Sequence, residues 1–122
     1  MSTIHCCFQP KTPHSADIVS KMLKASNYWH PDATSQASNK EKSCHLAKAT
    51  LFNTTLSKED HVYTDKTGSI ISANARIDNR RQLFRQLDLS ESSITDGELI
   101  LQAYHQWGKM CPSYLLGDFA FI

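Results

Sequence analysis

The stretch that most narrows what this chain can become is "TDGELILQAYHQWG", residues 95–108. Thr95 can accept from the amide three residues on while Glu98 reaches back, so the run opens with a capping box. Leu99, Ile100, Ala103, Tyr104 and Trp107 recur at helical spacing as one apolar stripe, and Gly108 offers the left-handed stop. Such a helix must lay its stripe on another surface, and much of the remaining chain alternates as strands do. In "STIHCCF", Ile4, Cys6 and Phe8 share one face and His5 and Cys7 the other. In "CHLAKATLF", Cys44, Leu46, Lys48 and Thr50 oppose His45, Ala47, Ala49 and Leu51. "HVYTDKTGSIISANA" predicts a hairpin turning at Asp65-Lys66-Thr67-Gly68. Strands and helices mixed in this way give an α+β class.

The other segments are punctuated less sharply. "QPKTPH" breaks the first strand with two prolines, and Ser15 then caps a helix lined by Ile18, Met22 and Ala25 and widened by Val19 and Leu23. Residues 28–43 are polar and turn-rich, which predicts a mobile loop. "ISANARIDNRRQLFRQLDL" reads as a strand, an abrupt turn carrying Asn74, and an amphipathic helix over Asn79–Asp88. Asn79 and Gln82 are spaced like a capping box, with Leu83, Phe84 and Leu87 toward the core. A short helical turn around Cys111–Leu116 leads through Gly117 and Asp118 into "FAFI". Two readings of that ending stand side by side: a strand pairing within its own sheet, or a domain cut short of its natural extent.

Bulk properties exclude several classes. A chain of 122 residues, 40% hydrophobic and 20% charged, fits one globular domain with a core of its own. A net charge of +1 gives no electrostatic reason to expect nucleic acid or an anionic membrane. No segment is long enough to span a bilayer and the N-terminus does not read as a signal peptide, so the expected compartment is the cytoplasm. Cys6, Cys7, Cys44 and Cys111 are then expected as reduced thiols. No paired Cys or His spacing suits a metal, and Cys6 and Cys7 face opposite sides of a strand, so no metal site is expected. The glycines match no phosphate-binding loop. Taken singly, Asp96 suits the positive end of a helix and Asn74 suits a turn.

Together they say more. "ANARIDNRRQL", "TDGELILQAYHQWG" and "CPSYLLGDFAF", in that order and at those intervals, resemble the N-terminal glutamine amidotransferase domain of asparagine synthetase-like proteins. The resemblance is strong over residues 68–122 and weak over 1–33, where "STIHCCF" and "YWHPDAT" stand at the family's opening cysteine and loop motifs. It implies an αββα-type sandwich of antiparallel sheets between helices, of the N-terminal-nucleophile hydrolase kind, C-terminally incomplete here. In such domains an N-terminal cysteine thiol attacks the glutamine side-chain amide, and its own α-amine acts as base. An Asn side chain and a neighbouring backbone N–H hold the oxyanion. An Asp pairs with the substrate ammonium and an Arg fork binds its carboxylate. Ammonia then passes to an ATP-dependent synthetase domain.

Carried onto this chain, the resemblance makes Asn74 and Ala75 the oxyanion positions, with Ala75 where the family has Gly, and Asp96 the ammonium partner. Ser2 occupies the nucleophile position and is exposed there only once Met1 is removed. The carboxylate fork is missing: Ala49 stands in its place beside Lys48, a point charge and a weak substitute. Trp29 falls where the family has a loop arginine. The expected function is therefore a degenerate, non-catalytic amidotransferase-like domain. It would scaffold the synthetase part of an amide-forming enzyme, closest in pattern to β-lactam or lasso-peptide macrolactam synthetases. Two alternatives remain: an active glutamine amidohydrolase using Ser2, and a free-standing module that dimerises through the "FAFI" edge. No cofactor is expected within the chain; ATP and Mg²⁺ belong to a synthetase domain in cis or trans, and glutamine is a partner only if the site works.

Overall fold

The computed structural model of the chain describes residues 2–9, 15–90 and 93–122. Met1 and the proline-bearing break at Pro10 and Pro13 lie outside them, so the expectations placed on Met1 removal and on that break lie outside the described residues too. The architecture is α+β, with small antiparallel sheets and helices. Strand β1 (Thr3–Phe8), helix α1 (Ser15–Ala25), β2 (Ala33–Ser38) and β3 (Cys44–Thr50) form the first half. Strands β4 (Tyr63–Thr64), β5 (Ile70–Ile71) and β6 (Ala73–Ile77), helices α2 (Arg80–Gln86) and α3 (Asp96–Trp107), and β7 (Gly117–Phe121) form the second.

In the first half β3 is central, antiparallel to β1 on one edge and to β2 on the other. The alternation in "CHLAKATLF" places Ala47 and Ala49 against Val19 and Leu23 of α1, and these four residues make a small core. Ser15, Val19 and Leu23 are the buried residues of α1, whereas Met22 is exposed. Of the face expected from spacing, the Val19 and Leu23 side that widened it is therefore the buried part, packed on the alanines of β3, and the Met22 side is left outward.

The segment 28–43, expected as a mobile loop, instead contains a 3₁₀ turn (Asn27–Trp29) and the whole of β2. "ATSQAS" has little intrinsic strand preference. Its pairing comes from the β3 ladder and from side-chain bonds: the Ser35 hydroxyl accepts from the Val62 amide at 2.8 Å, and Gln36 Oε1 accepts from the Ser20 hydroxyl at 3.3 Å.

In the second half the hairpin forms as read, with β4 on β5 and Gly68 at φ 87° in the turn. Asp65 Oδ1 accepts from the Thr67 amide, the Thr67 hydroxyl and the Ser69 amide at 2.8, 2.7 and 3.0 Å, fixing that turn. The strand after it runs straight through Asn74 to Ile77, so Asn74 lies within β6 and the turn comes only at Asp78 and Asn79. Antiparallel pairing with β7 (Asn74 opposite Ala120) holds Asn74 in the ladder. "FAFI" accordingly pairs inside its own sheet, and Ser72 and Ile122 exchange backbone bonds at 3.1 and 2.9 Å to extend it. Gly117, at φ 142°, starts β7 where a Cβ would run into the Arg76 carbonyl oxygen.

Helix α3 has the capping box: Thr95 Oγ1 accepts from the Glu98 amide at 3.3 Å, and the Thr95 amide donates to Glu98 at 2.6 Å. Leu99, Ile100 and Ala103 are fully buried with Ala73, Ile77, Leu83 and Phe84, while Tyr104 is exposed and Trp107 stacks on Tyr114 at 4.1 Å. Between the two cores runs a polar seam. Ser72 Oγ donates to the Ala47 carbonyl at 3.3 Å, and the enclosed Lys48 donates to the Ala73 carbonyl. Among the described residues no helix is long and apolar enough to cross a membrane.

Candidate functional site

The backbone of β6 sets the site. Ser72 and Ile122 form a hydrogen-bonded pair, and so, two residues on each time, do Asn74 with Ala120 and Arg76 with Asp118. The amides and carbonyls of Ala73, Ala75 and Ile77 therefore turn to the opposite edge, away from β7. The bonds found there agree: the Ala73 carbonyl accepts from Lys48 Nζ, and the Ile77 amide donates to Asp96 Oδ2 at 3.0 Å. The Ala75 N–H lies between these two and points to the same edge.

That edge borders a cleft of about 630 Å³. Ser2, Asn74, Ala75 and Asp96, four of the residues singled out in the sequence, all line it. They arrive from three places: Ser2 from the residue just before β1, Asn74 and Ala75 from β6, and Asp96 from the first residue of α3. Asn74 Nδ2 donates to the Ser2 carbonyl at 3.3 Å, tying the strand to the N-terminal segment. The far wall comes from the β3–β4 connection, including Asn53, Ser57 and Asp60.

Lys48 does not line the cleft. It lies on the β3 face turned toward β6, fully enclosed, with Nζ 2.5 Å from Asp60 Oδ1. Its amine is consumed by Asp60 and the Ala73 carbonyl, which corrects the expectation that it would face a substrate. Ala49 is on the other face of β3, against α1. Trp29 packs on that same side; its indole Nε1 is buried with no hydrogen-bond acceptor among the described residues.

The charges around the cleft are paired within the chain. Arg80 Nη1 bonds Asp96 Oδ1, and Arg76 reaches Asp78 at 3.2 Å and Asp118 at 3.1 Å. Asp60 holds Lys48. Spacing alone does not point to Arg80, which opens α2 while its partner opens α3. Nor was Asp60 legible, since it sits in an irregular connection. Away from the cleft, Cys6 and Cys44 bring their sulfurs to 3.9 Å, and burial together with neighbouring Cys6 and Cys7 pushes the Cys44 thiol up to about 11. Among the described residues no group of three or more His, Cys, Asp or Glu could hold a metal ion.

Compared with known protein families, the chain matches the glutamine amidotransferase domain over residues 1–122. A search of curated proteins found no match.

Proposed function

This chain belongs to the glutamine amidotransferase domain family, and from that premise we propose that it is a degenerate member with its glutaminase chemistry lost. We read it as the N-terminal-nucleophile-type domain of an asparagine synthetase-like enzyme that forms an amide or a macrolactam with ATP. Its role is scaffold and docking partner for a synthetase part in cis or trans. The packing of α1 on the β1–β3–β2 sheet and of α3 on β6 supports reading the domain as an αββα sandwich of that kind.

The observation that carries the proposal is that each charged side chain lining the cleft already has an in-chain partner of opposite sign. A glutamine substrate brings an ammonium and a carboxylate, and both need fixed counter-charges if its amide is to sit against the nucleophile. The charge of Asp96 is balanced by Arg80, its second oxygen accepts from the Ile77 amide, and Lys48 is enclosed beneath the site. A serine hydroxyl at Ser2 is also a far weaker nucleophile than a thiolate and depends on a well-aimed base.

A second reading, a working Ser2 amidase, draws support from the backbone: the Ala75 N–H faces the cleft edge beside Asn74, an arrangement suited to an oxyanion. An electrophilic glutamine analogue separates the two. After incubation with a diazoketone analogue of glutamine, intact-mass spectrometry is expected to show no adduct on protein whose N-terminus is verified as Ser2. An adduct mapping to the Ser2 peptide overturns the proposal and establishes the amidase.

A further inference from the structure

We propose that Arg80 sets the ligand specificity of the cleft by occupying, with its own guanidinium, the place of a ligand ammonium, so that L-glutamine gains nothing over an amide ligand lacking that charge. The inference rests on reading Asp96 as the ammonium partner, and it assigns to Arg80 a role in selectivity beyond the loss of activity.

Three contacts fix the guanidinium. Nη1 bonds Asp96 Oδ1, Nη2 donates to the Ile94 carbonyl at 2.7 Å, and the guanidinium carbon stands 5.5 Å above the Phe84 ring. Both Asp96 oxygens are engaged, Oδ1 by Arg80 and Oδ2 by the Ile77 amide at 3.0 Å, so its negative charge is already compensated on the cleft side. Arg80 and Asp96 both line the cleft and both are about three-quarters enclosed, so their attraction is less screened than that of a surface pair. An incoming ammonium would have to evict a cation held at three points, strip the Ile94 carbonyl of its donor, and sit beside the displaced positive charge. A chain ending in a carboxamide but lacking the ammonium meets none of these penalties. Tight geometry here follows from the fold: Ile77 ends β6, Arg80 opens α2 three residues later, and α3 presents Asp96 at its own first position.

The test compares binding of L-glutamine with its des-amino analogue, in which hydrogen replaces the α-ammonium, by calorimetry at fixed ionic strength. The wild-type protein is expected to bind the two within about twofold of each other. Arg80→Met keeps an aliphatic stem over Phe84 and removes the cation; it is expected to favour L-glutamine by about tenfold. The double variant Arg80→Met, Asp96→Asn is expected to lose that preference again. Circular dichroism and a melting curve confirm that each variant is folded, and Arg80→Gln serves if the methionine variant is not. Wild-type protein that already prefers L-glutamine tenfold overturns the inference, as does a folded Arg80 variant that shows no gain or binds neither ligand. Adduct formation at Ser2 bears on the proposed loss of chemistry alone, whereas the affinity ratio bears on Arg80 alone.

Discussion

Lys48 brings an amine into the space between the two cores, and nothing of it reaches solvent. Enclosing such a group is costly unless every bond it can make is made. Asp60 and the Ala73 carbonyl supply an opposite charge and a second acceptor, and in doing so pin β3 to β6 directly beneath the cleft. Lys48→Ala strands both partners and opens a cavity, so it is expected to cost about 3 kcal/mol of stability by urea denaturation. Asp65 offers a test by pH. Burial alone would raise its carboxyl, but hydrogen bonds from Thr67, His105 and Ser69 outweigh burial and hold it at about 2. Its folded value lies below its unfolded value of about 3.9, so its contribution is complete above pH ~4 and is lost as pH falls toward 2. Asp65→Asn is expected to flatten that part of the stability–pH curve, measured by denaturant midpoints between pH ~2 and ~4.5.

At the scale of elements, local signals were legible and competing ones were not. The capping box of α3 formed as read because its donors and acceptors lie within one turn and have no rival. Thr95→Ala is expected to cost about 1 kcal/mol, seen as a lowered melting temperature. Asn79 and Gln82 have similar spacing, yet no such box forms. The Asn79 side chain is drawn away by chain distant in sequence, donating to the Tyr114 carbonyl and accepting from the Leu116 amide, both at 2.9 Å. It tethers the approach to β7 instead of capping α2. Similarly, β2 was hidden because its small polar residues carry almost no strand signal, and only the ladder to β3 makes it one. Asn74 looked like a turn residue by type; pairing with β7 overrides that preference.

Across the whole molecule, the two cores meet at a polar seam, and the cleft opens where β6 leaves one edge to the Ser2 segment and α3. The convergence of Ser2, Asn74, Ala75 and Asp96 could be anticipated only through family resemblance, because they lie far apart in sequence and each has an ordinary local role. The charge pairs in and beneath the cleft were not legible at all: Arg80 meets Asp96 in its lining, and the enclosed Lys48 meets Asp60 beneath it, only once the chain is folded. That internal pairing is the basis for reading the domain as retained structure without glutaminase chemistry. The most direct test is ammonia release from L-glutamine by protein with a verified Ser2 N-terminus, run beside Ser2→Ala. The account predicts that the two are indistinguishable from buffer; steady ammonia production that Ser2→Ala abolishes would contradict it.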